Sequence, residues 1–485
     1  MKDNKVKVEG IDYIAIREIR INKGVNQHGS AMVKLLVEEE KADKLLKLKS
    51  DVNWLSIKIG EENPDTVAFT GFIEEISSDT MSGVPIITLK LAGSSYLLDI
   101  KKEIRTYQED DSKLSKIVKH IKKGTEDNFS NVDVKIVNGE KVDDSFAPKN
   151  KFLVQYRETN YEFLRRCASM QNLPLITDNE GKEKEIKISI GFEQGESNKS
   201  DIIHYMKGVN IRDYLYRLKD GSIDGIKQND YKVITVKARD FYTVGSKVAV
   251  DGEDMYVYSV ESMYSSKVLD SDTGRNTADE FWHTYQLVPK KRFAEMRIYN
   301  ENLVGVSLNA TVEEVKKSTI KVKCDIDKDS DQMAEFKYAT VYSSNDGSGW
   351  YSMPEVGDKV RLYLPSEDEE DAYTISAVHE DEGTGLRDDP EHKIIINKYK
   401  KEVEFTKDYI RLSNNDGMEI KIDDKKGISI ISSKDIKIDA SKSIDITSKS
   451  KTVKINGKNE IKLQSNPSYI KLKGNAEIKG SGVKL

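Results

Sequence analysis

The C-terminal part of the chain, Asp408 to Leu485, is built on a short internal repeat. Two aliphatic residues separated by one polar residue recur throughout it. From Ile420 the step is eight residues three times, and then nine, eight and nine residues to Ile470. A repeat this short and regular restricts the possible folds more than any other feature of the sequence. We define the aliphatic ladder as Ile420, Ile422, Ile428, Ile430, Ile436, Ile438, Ile444, Ile446, Val453, Ile455, Ile461, Leu463, Ile470 and Leu472.

Each repeat predicts one short strand followed by a turn. Apolar residues at i and i+2 are typical of a strand with one buried and one wet face, and Ser, Asp, Asn, Gly and Lys between the pairs favour turns. Eight residues extend to about 26 Å, whereas packed sheet layers stand about 10 Å apart. Because one such strand and turn cannot enclose a core, we predict that three identical chains wrap around one axis with their ladders inside.

Two folds of a single chain remain as alternatives. An amphipathic hairpin series in a monomeric sheet would show the same alternation. A single-chain solenoid is less favoured, because most solenoid repeats have about 20 residues or more.

The charge of the repeat region differs from that of the whole chain, which carries a net −6. Lys434 to Leu485 contains 12 Lys and 5 Asp or Glu, a net charge of +7. Lysines on the outward strand faces prevent edge-to-edge pairing. Arg is missing here and no aromatic residues alternate with the lysines, so a nucleic-acid partner is not indicated.

The length of 485 residues and the 37% hydrophobic content predict several globular domains. Cys167 and Cys324 stand far apart and form neither a disulfide framework nor a metal-binding pattern. The N-terminus lacks the apolar run of a signal peptide, and no stretch approaches 18 apolar residues. We therefore expect a protein made in the cytoplasm that needs no cofactor and no metal.

Strand patterns dominate residues 1–300 and predict two β-barrel-like domains with a helical insert at about 108–175. Asp111 or Ser112 can cap a first helix of this insert. Thr159 and Glu162 have the spacing of a capping box at the start of a second helix.

Residues 301–380 predict a small barrel of the OB type, and residues 381–407 an acidic linker that leads into the repeats at 408–485. Acidic residues at 367–371 argue against a phosphate ligand. We interpret the longer run from Ser366 to Glu391, which contains eleven acidic residues and one Arg, as a solvated face. The strands predicted for the barrel are Val306 to Val312, Thr319 to Ile326, Tyr338 to Val341, Lys359 to Leu364 and Ala372 to Val378.

Two further stretches, together with the ladder, resemble a known family in their residues and in their order. The first enters the second helix and has the form Gln-Tyr-x-Glu-Thr, with Gln155, Tyr156, Glu158 and Thr159. The second has the form Pro-x-Val-Gly-Asp-x-Val after a tryptophan, with Trp350, Pro354, Gly357 and Asp358. Both are similar to segments of the VgrG-like central spikes of contractile phage tails, phage-tail-like bacteriocins and type VI secretion systems.

This resemblance implies a mainly β homotrimer. Residues 1–300 would be a hub of two barrel-like domains per chain, residues 301–380 an OB-fold collar, and the ladder an intertwined triple-stranded β-helix needle. Such a protein would cap the inner tube of a phage or phage-tail-like particle and puncture the cell envelope. Its partners would be the tail tube, the baseplate wedge and the target envelope.

The chain departs from the family in features that bear on chemistry. Some phage spikes carry a lysozyme domain between collar and needle, but only about 30 residues separate Val378 from Asp408. Spikes with their own metal-bound tip use closely spaced histidines, whereas all six histidines here precede the needle. We therefore expect no enzyme activity and a separate tip protein, which would dock at Gly482, Val483, Lys484 and Leu485.

Two other functions remain as alternatives to the spike. A cell-wall hydrolase on a β-rich stalk would need paired carboxylates, and the sequence shows no Ser-His-Asp arrangement, zinc motif or phosphate loop. A trimeric receptor-binding fibre would share the needle but would carry a globular head after the repeats. We also expect Trp54, Trp282 and Trp350 to pack inside the barrels rather than to bind glycans.

Overall fold

The structure is a computed structural model that divides into two compact units, Met1–Glu380 and Asp381–Leu485. It describes residues 5–47, 53–60, 64–81, 83–125, 131–136, 151–192, 197–198, 202–266, 280–327, 330–379, 385 and 387–472. None of the described helices is long and apolar enough to cross a membrane.

The first unit begins with six strands and one helix. Alternating residues of these strands, such as Ile19, Ile21 and Val33, are fully buried in one core. The helix lies over β5 and β6 and buries Ala42 there. The elements are β1 (Lys5–Glu9), β2 (Ala15–Gly24), β3 (Ser30–Leu36), α1 (Glu39–Leu46), β4 (Trp54–Gly60), β5 (Thr66–Met81) and β6 (Val84–Gly93).

A helical insert follows. Its strands β7 and β9 form a two-stranded ribbon, and β10, β11 and β8 form a separate small sheet beneath the helices. The predicted capping box at Thr159 and Glu162 is present and begins α3, whereas α2 begins after a short 3-10 turn at Glu109–Ser112. The elements are β7 (Lys102–Gln108), α2 (Leu114–Thr125), β8 (Asn131–Ile136), β9 (Phe152–Thr159), α3 (Asn160–Ser169), β10 (Leu175–Asp178) and β11 (Glu185–Ile190).

Strands after the insert return to the first sheet. Antiparallel pairing of Gly24 with Ser259 and of Ile19 with Tyr264 joins β2 to β16, so the strands before and after the insert share one twelve-stranded sheet. Its main order is β1-β4-β5-β6-β3-β2-β16-β17-β14-β13, and β15 pairs with β16 and β12. The elements are β12 (Ser197–Asn198), β13 (Ile202–Val209), α4 (Ile211–Asp220), β14 (Lys232–Ala238), β15 (Lys247–Val250), β16 (Glu253–Ser265) and β17 (Glu280–Val288).

A five-stranded barrel completes the first unit. The strand order is β20-β19-β18-β21-β22, and a parallel bridge between Tyr338 and Thr374 brings the two end strands together. The predicted third strand was placed too late, because the chain leaves the sheet just after Tyr338. The strands are β18 (Val306–Lys316), β19 (Thr319–Cys324), β20 (Glu335–Lys337), β21 (Lys359–Leu364) and β22 (Tyr373–Ala377).

The second unit contains an antiparallel meander and a separate hairpin. Polar turns such as that at Asp423, whose carboxylate accepts from the backbone amides of Lys425 and Lys426, reverse the chain between strands. The meander strands are β23 (Lys393–Ile396), β24 (Glu402–Phe405), β25 (Tyr409–Ser413), β26 (Met418–Asp423) and β27 (Gly427–Ser432). The hairpin strands are β28 (Ile461–Ser465) and β29 (Ser468–Leu472).

Candidate functional site

The aliphatic ladder is uncovered in the single chain. Ile428 is 73% exposed and Ile438 is 70% exposed. From residue 414 to residue 472, all of which the structure describes, no residue is buried. A run of exposed aliphatic residues this long marks a surface that another molecule covers.

Backbone pairing brings part of the ladder together. In the meander, Ile420 pairs with Ile430 and Ile422 with Ile428, so their side chains stack on one face. In the hairpin, Ile461 pairs with Leu472 and Leu463 with Ile470. The structure forms no strand between residues 433 and 460, where the ladder continues with Ile436, Ile438, Ile444, Ile446, Val453 and Ile455.

Charged groups form the other face of the meander. Arg411 donates from Nε to Glu404 at 2.9 Å and also to Glu402, and both glutamates are buried. The ammonium of Lys421 lies 3.7 Å from the centre of the Tyr409 ring. The meander thus separates an ion-paired face from an uncovered aliphatic face, as the alternation of its sequence predicts.

The four residues of the Gln-Tyr-x-Glu-Thr segment form the corner between β9 and α3. Gln155 is fully buried and donates to the carbonyl of Glu158 at 3.1 Å. The carbonyl of Tyr156 accepts from the amide of Asn300 at 2.9 Å, and Thr159 caps α3. These residues therefore have structural roles in connecting the insert to the start of the barrel.

Arg166, which sequence reasoning missed, lies at the centre of this corner. Its guanidinium donates to Glu158 at 2.8 Å and 2.9 Å, to Glu369 at 2.7 Å and to the carbonyl of Val154 at 2.6 Å. Desolvation opposes its charge, but the two carboxylates outweigh that effect and raise the pKa of Arg166. Burial raises the pKa of Glu158, and the charge of Arg166 acts against that rise. The insert and the barrel are thereby joined by a buried ion network.

The interpretation of the acidic run from Ser366 to Glu391 as a solvated face was wrong for Glu369. This residue is 1% exposed, because the short turn Glu369–Asp371 carries its side chain into the interface with β9. There its carboxylate accepts from the backbone amide of Val154 at 3.3 Å as well as from Arg166. Arg166 directly follows Arg165, and the pattern of the predicted helix does not distinguish the buried arginine from its neighbour.

Further contacts fix the barrel on the ribbon of β7 and β9. The carboxylate of Asp327 accepts from the backbone amide of Thr106 at 2.7 Å, and Gln108 accepts from the amide of Ala334 at 2.8 Å. Phe152 packs edge-to-face against Phe336 with ring centres 5.0 Å apart. The ribbon of β7 and β9 therefore holds the barrel in place through hydrogen bonds and aromatic packing.

The Pro-x-Val-Gly-Asp segment is a tight turn of the barrel. Asp358 accepts from the backbone amide of Glu355 at 2.8 Å, and its carbonyl accepts from the amide of Val312 at 2.9 Å. Gly357 has φ +95°, a conformation that favours glycine, and Pro354 is buried. Trp350, which we expected to pack inside the barrel, is 57% exposed because it stands on a loop outside the sheet; Trp54 is buried.

The described residues do not form a metal-binding or reactive-thiol site. Among the described residues no group of three His, Cys, Asp or Glu side chains is placed to hold a metal ion. Both cysteines are buried, and burial raises the pKa of Cys167 and raises that of Cys324 to about 12. The proposed tip-docking residues Gly482, Val483, Lys484 and Leu485 lie outside the described residues.

A second apolar surface lies at one edge of the twelve-stranded sheet, where β13 is the end strand. Seven large apolar residues of β13 and α4 are exposed, and in α4 only Arg217 is buried. The seven exposed residues are Tyr205, Met206, Val209, Ile211, Leu215, Tyr216 and Leu218.

The sequence matches no protein-family model and no curated protein. Solved structures do match. The Escherichia coli c3393 protein, described as a component of the type VI secretion system with structural similarity to bacteriophage T4 tail proteins gp27 and gp5, aligns with a TM-score of 0.53 and 11% identity. The alignment covers 77% of this chain and all of that one. The Francisella PdpA-VgrG complex in a half-lidded state aligns with a TM-score of 0.50 and 11% identity, over 88% of this chain and 87% of that one.

At these identities the likeness concerns the fold. The predicted mainly β architecture is confirmed, and the structural neighbours are those that the two sequence segments and the ladder indicated. The chain therefore has the fold of the VgrG-like spike proteins.

Proposed function

We propose that this protein is the homotrimeric hub and central spike of a contractile tail-like particle, where it caps the inner tube and punctures the target envelope. The observation that carries this proposal is the aliphatic ladder, whose residues from Ile420 to Leu472 are exposed in the single chain except for the half-buried Ile461. A ladder that its own chain leaves open needs other chains to cover it.

Identical copies of the chain are the simplest partners that could cover the ladder. Each copy supplies one strand and one turn per repeat, and three copies complete a narrow core in which equivalent ladder residues meet. Burying one aliphatic side chain contributes roughly 1.5 to 3 kcal/mol, and the ordering of the chain offsets part of this. Because each strand is held by the other two chains, the needle would unfold slowly and resist the load of penetration.

Two features of the first unit, its barrel and its buried ion network, are suited to supporting such a needle. The barrel order β20-β19-β18-β21-β22, with the end strands joined at Tyr338 and Thr374, supports the predicted OB-fold collar. The ion network around Arg166 ties this collar to the hub through buried groups. The exposed surface of β13 and α4 supports a hub that contacts further subunits.

The role is structural in this proposal, with no enzyme activity, cofactor or nucleic acid. The partners are the tail tube, the baseplate wedge, a separate tip protein at Gly482–Leu485 and the envelope of the target cell. One neighbour is described as a component of a type VI secretion system with similarity to phage tail proteins, which supports a place in a phage or tail-like particle.

The mass of the native full-length protein tests the proposal. Light scattering should give three times the mass of the 55.0 kDa chain, and the assembly should persist on dilution. A monomer at micromolar concentration, with the ladder protected from solvent by its own domains, would contradict it.

A further inference from the structure

The loop between β20 and β21 differs in composition from the rest of the chain. We define the aromatic loop as Tyr338–Met353. Asp346 is its one charged residue out of sixteen, whereas 33% of the whole chain is charged. Four of the sixteen are aromatic against 8% overall, namely Tyr338, Tyr342, Trp350 and Tyr351. Few charges together with Tyr, Trp and Met are typical of the core of a protein–protein interface.

The aromatic loop presents these side chains to solvent. Val341 is 88% exposed, Tyr351 74%, Trp350 57% and Tyr342 54%. They surround a concavity of about 530 Å³ whose floor includes the half-buried Tyr338 and Met353. The lining also includes Ser318, Thr340, Ser343 and Ser348, so exposed apolar side chains stand next to a hollow of mixed polarity. Such a surface can both insert into and receive a partner.

Hydrogen bonds hold the loop in one conformation between its two ends, Tyr338 and Met353, which pack against the barrel core. The amide of Trp350 donates to the carbonyl of Tyr342 at 2.8 Å, and the amide of Ser344 donates to that of Ser348 at 2.8 Å. The hydroxyl of Tyr351 donates to the carbonyl of Lys317 at 2.8 Å. Gly349 has φ +132°, and a Cβ there would lie 2.4 Å from the carbonyl oxygen of Tyr342. A loop ordered in advance loses little entropy when it binds.

A second copy of the chain is the partner that fits. Residues 378–392 separate β22 from β23, and fifteen residues span at most about 50 Å. Copies joined through the ladder therefore keep their barrels within reach of one another, at an effective concentration on the order of millimolar. A weakly charged, aromatic surface is well suited to such a tethered contact.

We propose that the aromatic loop packs against the barrel of a neighbouring copy and forms a second subunit interface, separate from the ladder. This proposal rests on the homotrimer proposed above. In a closed ring of three copies, each copy would both offer its loop and receive that of a neighbour, as in head-to-tail contacts.

Thiol labelling of the full-length protein tests this interface. Val341→Cys leaves Trp350 and the tyrosines in place, and the native Cys167 and Cys324 are buried and give little background. Glu367→Cys, at an exposed position of the same barrel away from the loop, is the matched control. Each variant is labelled with a maleimide in the native ladder and in the Ile436→Asp/Ile438→Asp background, after light scattering has established the mass of every sample.

We expect the labelling rate of Val341→Cys in the assembled protein to be at least about tenfold lower than in the ladder-disrupted chain, because the interface excludes the reagent. Glu367→Cys should react equally in both. A trimer in which both cysteines react fast would overturn the interface but leave the homotrimer standing, whereas a monomeric native chain would overturn both proposals. Slow reaction of Val341→Cys in the monomer as well would show that the loop is covered by its own chain, which also overturns the interface.

Discussion

Arg166 and Glu369 lie 203 positions apart in sequence, and their side chains meet at 2.7 Å with each about 1% exposed. The guanidinium also holds Glu158, so two carboxylates share one cation in a place that water does not reach. Removing one member of a buried ion network is costly because the others keep their charge without a partner. The joint between insert and barrel therefore depends on this arginine.

Replacement of this arginine should destabilise the first unit severely. Arg166→Met leaves Glu158 and Glu369 buried without a cation, and we expect the free energy of unfolding to fall by about 3 to 5 kcal/mol. Urea unfolding followed by tryptophan fluorescence measures the loss. Arg157→Met, which removes an exposed arginine of the neighbouring strand, should change stability by less than about 0.5 kcal/mol. Equal effects of the two changes would contradict the importance of the network.

Stability should fall on acidification because of His283. This side chain is fully buried, its Nδ1 lies 2.7 Å from the hydroxyl of Ser262, and burial followed by the nearby charge of Lys23 lowers its pKa from 6.5 to about 3. Between these two values the unfolded chain binds a proton that the folded chain does not bind. Stability is therefore complete above pH 6.5 and decreases below it by about 1.4 kcal/mol per pH unit.

His283→Gln should remove this slope. From pH 7 to pH 5 the native chain should lose about 2 kcal/mol more than the variant, since only the native chain has the titrating imidazole. Urea titrations at pH 7, 6 and 5 provide the comparison. His204→Gln, at an exposed position, should retain the native slope. A variant of His283 that keeps the full acid dependence would show that other groups cause it.

Charges placed in the ladder should prevent assembly. Ile436→Asp/Ile438→Asp puts two carboxylates per copy where the proposed trimer has an apolar core, and each lost isoleucine removes roughly 1.5 to 3 kcal/mol of burial. We expect the heat-resistant and SDS-resistant oligomer to disappear while circular dichroism shows the hub and barrel still folded. Lys437→Ser, at the exposed residue between them, should assemble normally. Undiminished assembly of the double variant would place these isoleucines away from the shared axis.

A methyl group at Gly93 should disturb the contact between the insert and the first sheet. An added Cβ would lie 2.0 Å from Oδ1 of Asn179, which is 2% exposed. We expect Gly93→Ala to cost about 1 to 3 kcal/mol through overpacking, and Gly208→Ala, whose Cβ would meet nothing closer than 3.9 Å, to cost less. In a double-mutant cycle, Asn179→Ala should recover part of the loss. Strict additivity of the two changes would contradict the predicted clash.

Local patterns predicted the elements well, and contacts between distant residues were not predictable. The capping box at Thr159, the ladder strands β26 to β29 and four of the five barrel strands follow from spacing over a few residues, which local propensities determine. The strands that the same spacing predicted between residues 433 and 460 are not formed in the single chain. The pairing of β2 with β16 and the ion pair of Arg166 with Glu369 depend on which distant segments meet. The acidic run that contains Glu369 looked solvated because its neighbours are, and no local pattern separates the one buried carboxylate from them.

The uncovered ladder also has a consequence for the cell that makes this protein. A newly synthesised copy exposes its aliphatic ladder until another molecule covers it. During any delay the exposed ladder can associate with other incompletely folded chains nearby. For the proposed homotrimer, the timing of synthesis therefore matters as much as the structure. Copies released close together from one messenger RNA can assemble, whereas a copy that stays single is prone to aggregate.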